Sequence, residues 1–276
     1  MVKKAAIIVF SMLLIFSLAA CGSAQQGKYK DGIYYAQGDG YEKGYEYFVK
    51  LEVKKGKIVS AEWNAFTING GKDKLTLSKD GQYPMVANGG AQAEWHEQAS
   101  KTTAYLIETQ DPTKIAYKDN EGHTDDIAGV SIHVNGFFEL AQKALAGTPV
   151  AKGAYKDGIY YAQDKAFEKG FKTAVNIVVV NGTIVGADWD AIAEKEDDPD
   201  KDALSKSGGY PMVKNGGAQA DWHVQAQKAE AYLLSTQDPS KINYKDAEGH
   251  TDDIAGVSIH VSEFFTLAQE ALANAK

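Results

Sequence analysis

The chain has almost no cysteine. Cys21 is the only one among 276 residues, so no disulfide can close within the chain. Cysteine-based metal sites are excluded on the same ground. It also lacks a basic excess. The formal net charge is -8, which argues against nucleic acid as a partner and keeps the folded part off an anionic lipid surface. No Ser-His-Asp arrangement and no close carboxylate pair is signalled, which makes hydrolysis a poor expectation. Nothing resembles a metal motif such as His-Glu-x-x-His. The apolar run at residues 5–20 is short for a membrane span.

That run reads instead as the core of a signal sequence. Lys3 and Lys4 precede it, and it ends in Leu18-Ala19-Ala20-Cys21-Gly22. Small residues before a cysteine match the lipobox pattern, in which the cysteine is acylated and becomes the first residue of the mature protein. The expectation is a lipoprotein signal peptide over residues 1–20, lipidation at Cys21, and a small polar tether over residues 21–28. Acyl chains contribute roughly 0.8 kcal/mol per buried methylene, so a multiply acylated cysteine anchors firmly. This places the chain on the extracytosolic face of the cell membrane. The alternative is a plain transmembrane anchor with an incidental cysteine.

The rest of the chain repeats itself. Tyr29-Lys30-Asp31-Gly32-Ile33-Tyr34-Tyr35-Ala36-Gln37 recurs at residues 155–163, and residues 122–134 recur unchanged at 249–261. A repeat this long is a whole domain. The expected domains cover residues 29–146 and 155–276. Residues 147–154 read as a short linker with some freedom, since Gly147, Pro149 and Gly153 fall within it. The copies have drifted most between Phe66 and Tyr83, where the second carries an acidic stretch, Glu194-Lys195-Glu196-Asp197-Asp198-Pro199-Asp200.

Within a copy, β-branched runs flank Asn181-Gly182, a strong hairpin signal. Lys55-Gly56 holds the same place in the first copy, with strands near residues 45–53 and 57–63. Residues 92–108 and 219–235 read as helices stopped by Asp111-Pro112 and Asp238-Pro239. A second helix is expected from Phe137 to Ala146 and from Phe264 to Ala273, with Asn135 and Ser262 as N-caps. The predicted fold class is α+β: two tandem copies of a small domain with an antiparallel sheet and helices packed on one side.

Three groups of residues could carry chemistry. The unchanged run holds Gly129 and Gly256 just before a helix, where backbone amides make an anion site. The alternative is a tight turn with a capped helix. All six histidines fall in pairs: His96 with His223, His123 with His250, His133 with His260. Three per domain suffice for a metal or for haem, although they also lie in segments retained for other reasons. Trp95 and Trp222, near retained glycines, could line a slot for a flat ring, while Trp63 and Trp189 read as core.

These residues resemble the FMN-binding domain family over nearly all of each repeat. The similarity lies in Asp31-Gly32-Ile33-Tyr34-Tyr35, the hairpin, the Gln-rich helix, and the acidic Gly-containing turn before the last helix. The tandem arrangement behind a lipobox is similar to Gram-positive lipoproteins of the PplA type, which pass electrons outside the cell, and to pheromone-precursor lipoproteins. In that family the turn reads Asp-x-x-Ser-Gly-Ala-Thr-x-Thr, and a flavin transferase attaches FMN to the final Thr. Here Asp125, Gly129 and Ser131 match, as do Asp252, Gly256 and Ser258, while His133 and His260 hold the attachment position. The resemblance implies an electron-transfer lipoprotein with FMN, covalent or noncovalent, in each domain. A membrane donor and an extracellular acceptor would be its partners. Asp125/Asp252 and Gly129/Gly256 would shape the phosphate turn, Ser131/Ser258 would bond phosphate, and Trp95/Trp222 would flank the ring. The alternatives are a haem- or metal-binding surface lipoprotein using the histidines, or a pheromone precursor whose folded part is not a redox carrier.

Overall fold

The computed structural model describes residues 27–195 and 197–276. The signal peptide, Cys21 and most of the tether lie outside the described residues. Among those described, no helix is long and apolar enough to cross a membrane.

Each repeat folds as a mixed α+β unit. In the first, β1 (Gly32–Gln37), β2 (Tyr45–Lys54) and β3 (Lys57–Thr67) form an antiparallel sheet in the order β1-β2-β3. Four helices follow: α1 (Lys74–Lys79), α2 (Met85–Gly89), α3 (Trp95–Thr109) and α4 (Asn135–Ala146). The second repeat gives β4 (Gly158–Gln163), β5 (Phe171–Val180), β6 (Thr183–Ala193), α5 (Lys201–Lys206), α6 (Met212–Gly216), α7 (Trp222–Thr236) and α8 (Ser262–Ala271). The hairpin turns are tight because both central residues take positive φ: 52° and 75° at Asn181 and Gly182, 51° and 70° at Lys55 and Gly56. That backbone matches the twist of the flanking strands.

Two expectations are corrected, and short helices stand where no element was expected: α1, α2, α5 and α6. Asp73 and Asp200 start the longer pair, their side chains accepting from Thr76 N and Ala203 N. The acidic stretch of the second copy therefore ends in a helix cap. Asn135 and Ser262 are not caps but the first helical residues, following Val134 and Val261. There a backbone bond replaces the side-chain cap, with Val134 N donating to Gly122 O at 2.9 Å. The linker is held at both ends: Val150 N donates to Ile33 O, and Gly153 N donates to Asn181 O.

The long helices cover one face of each sheet. Trp63, Trp95, Leu106, Phe137 and Phe138 are buried there, and Trp189, Trp222, Leu233, Phe264 and Phe265 repeat the arrangement. Each such side chain contributes roughly 1.5–3 kcal/mol by leaving water. The opposite faces of the two sheets meet each other through Phe48 and Phe66 of the first repeat and Val178 and Val180 of the second. Burial on both faces explains why β5 ends in four consecutive apolar residues, Ile177 to Val180, rather than in an alternating pattern.

Candidate metal centre

The unchanged segment between α3 and α4 is a loop that builds itself. The Asp119 carboxylate accepts from Glu121 N at 3.0 Å and His123 N at 3.1 Å. Gly122 has φ 90°, and a Cβ there would collide with the Asn135 side chain. Its carbonyl ties the loop to the start of α4 through Val134 N. Thr124, 2% exposed, donates to Ala116 O, and Asp126 accepts from Ala116 N. These bonds recur in the second copy around Asp246, Gly249, Thr251 and Asp253. They account for most of the retained loop by local structure alone.

They do not account for His123, His133 and Glu121, which reach outward and meet. The two imidazoles stand edge to face with centroids 4.3 Å apart. Glu121 Oε2 lies 3.6 Å from His133 Nε2 and 3.9 Å from His123 Nδ1. His250, His260 and Glu248 reproduce the group, again with ring centroids 4.3 Å apart. Within each group one ligand atom per residue lies within 4.8 Å of the others, and among the described residues no other group of three does so. Asp119 sits behind, its carboxylate 2.7 Å from His123 Nδ1, and Asp246 does the same for His250. Asp119 and Glu121 thus share the Nδ1 side of His123, and a carboxylate that holds the Nδ1 proton would leave an ion the Nε2 side of that ring. The ring spacing leaves no width for a haem macrocycle between the pair.

The other expected site residues are placed elsewhere. Trp95 and Trp222 are 3% and 2% exposed. They pack against Trp63 and Trp189 at 5.5 Å, in the core rather than along a slot. His96 and His223 bond Ser78 and Ser205 through Nδ1 and take no part in the group. Asp125 and Asp252 are exposed and face Lys118 and Lys245. Gly129 and Gly256 do bend the turn, with φ 72° and 73°, but Lys101 and Lys228 lie on their carbonyls. The turn amides are taken as well. Gln98 Oε1 accepts from Ser131 N at 2.7 Å and Ile132 N at 3.2 Å, and Gln225 does the same for Ser258 N and Ile259 N. Gln98 and Gln225 are the functional neighbours the sequence reading missed. Their retention at matching positions of α3 and α7 was the available signal.

No family model matches the chain, and no curated protein matches it. Solved structures similar to it include a solution NMR structure of a protein from Clostridium thermocellum. It is 60% identical over a match covering 44% of this chain and 95% of that one, with a TM-score of 0.36. At that identity the two chains belong to one family. A crystal structure of a Clostridium perfringens protein is 26% identical, covering 43% of this chain and 87% of that one, with a TM-score of 0.34. Neither is described by an activity or a ligand.

Proposed function

We propose that the folded part is a metal-binding surface module with one His-His-carboxylate site in each repeat, held at the outer face of a membrane by lipid on Cys21. The convergence of Glu121, His123 and His133, reproduced by Glu248, His250 and His260, carries this reading. Two imidazoles and a carboxylate suit divalent first-row ions such as zinc, nickel or copper. Metal–ligand bonds of about 2.0–2.2 Å require donor atoms somewhat closer than those here, a closure that small rotamer changes supply. Three protein ligands leave coordination positions open to water or to a second donor, which fits capture or relay of an ion better than a closed structural site.

Calorimetric titration of the metal-free chain with Zn²⁺ tests this. Two equivalents are expected. His133→Ala and His260→Ala should each remove one equivalent, and the double variant both. Affinity should fall on acidification, because imidazole binds metal only when deprotonated. At a hundredfold excess over Kd, one bound ion per repeat stabilises its unit by about 2.7 kcal/mol, visible as a raised melting temperature. The flavin carrier implied by the family resemblance would need Gln98 and Gln225 to leave the turn amides. Protein from its native host that carries a flavin absorption band, and binds no zinc, would replace the metal reading with that one.

A further inference from the structure

A second site lies where the two repeats meet. A groove of about 650 Å³ runs between them, with Glu46 of β2 on one wall and Asp188, Asp202 and Glu230 of the second repeat on the other. Glu46 is 2% exposed. Its Oε1 accepts from Gln37 Nε2 at 2.8 Å, while Oε2 has no partner. Glu230 Oε1 accepts from Trp189 N at 2.8 Å, and Asp188 accepts from Tyr41. Among the described residues, Glu46, Glu230 and Asp188 hold hydrogen bonds but no ion pair, whereas Asp202 pairs with Lys206. The chain contains no arginine. The two lysines of the groove are engaged at its rim, Lys206 with Asp202 and the Asp39 carbonyl, Lys143 with Asp39 and the Gln37 carbonyl. An enclosed carboxylate without a counter-ion is costly when charged and holds a proton instead, and a ligand that brings the positive charge favours the ionised form in the proton's place.

The rest of the groove says which kind of cation. Tyr35, Val185, Ala187 and Leu234 give it apolar walls. No three of its carboxylates bring ligand atoms within 4.8 Å of one another, unlike the histidine groups. A bare divalent ion needs such convergence. We infer that this groove binds a small organic ammonium ion, its aliphatic body on the apolar walls and its charge on Glu46, Asp188 and Glu230.

The test is calorimetric titration of the metal-free full mature chain with 1,4-diaminobutane, with uncharged 1,4-butanediol as the control. The diamine is expected to bind at one equivalent and the diol not at all. Glu46→Gln keeps the shape and the Gln37 contact, so it should fold as the parent does. It should weaken diamine binding at least tenfold, and Glu230→Gln should weaken it too. Unchanged circular dichroism and a melting temperature no lower than the parent's show that the loss is not unfolding. Absence of diamine binding, or equally tight binding by the Glu46→Gln and Glu230→Gln chains, overturns the assignment.

Discussion

Gln98 occupies the place where an anion would sit. Its side-chain carbonyl collects the amides of Ser131 and Ile132 while its own amide donates to Ala93 O at 2.8 Å. Gln98→Ala would leave those partly buried donors without their protein partner, at about 1 kcal/mol of stability. Chemical denaturation should show that loss, and the same for Gln225→Ala. A neutral residue in a Gln-rich helix carries no spacing that announces such a role, whereas the retained histidines stood out as a set. Their pairing was legible, but the choice of His123 and His133 over His96 was not. It depends on Gly122 and Asp119 folding the loop back onto α4, and on Ser78 holding His96. Trp95 shows the limit from the other side. Nearby glycines suggested an open slot, and the packing of Trp63 against it closed one.

The hairpins show how element and sequence agree. Asn181-Gly182 announces its turn, and Lys55-Gly56 folds into the same turn without the favoured residue at its first position. A side chain such as Lys is strained at φ 51°, and Asn tolerates that region through its short polar group. Lys55→Asn should therefore stabilise the first repeat by about 0.5–1 kcal/mol, measured as a shift in its unfolding midpoint. The long helices were legible to within a few residues because their apolar spacing and their Pro stops are strong. The short helices were not. Five or six residues carry less than two turns of pattern, and only the Asp73 and Asp200 caps mark the start of α1 and α5.

Across the whole molecule, the α+β class followed from the order of elements, but the stacking of the two sheets did not. The β5 run was visible as strand, and its double-sided burial needs Phe48 and Phe66 from the other repeat. That contact also encloses acidic groups. Burial pushes the Asp188 carboxyl up to about 7, with repulsion from Asp202 and Asp200 adding to it. Burial, together with Asp164, pushes Glu263 up to about 7 as well. A carboxyl whose folded value is raised holds its proton more tightly in the folded state. Its contribution is fully present at acid pH, below the unfolded value, and is lost as pH rises through about 7. The melting temperature of the ligand-free chain should therefore be higher at about pH 5.5 than at about pH 8. Asp188→Asn should flatten part of that slope.

The metal assignment has one direct test. Crystals of the mature chain grown with Zn²⁺ would be measured on both sides of the zinc absorption edge. The anomalous map should show two strong peaks, one bounded by Glu121, His123 and His133 and one by Glu248, His250 and His260. A map empty at both loops, with zinc supplied in excess of the protein, would contradict the account.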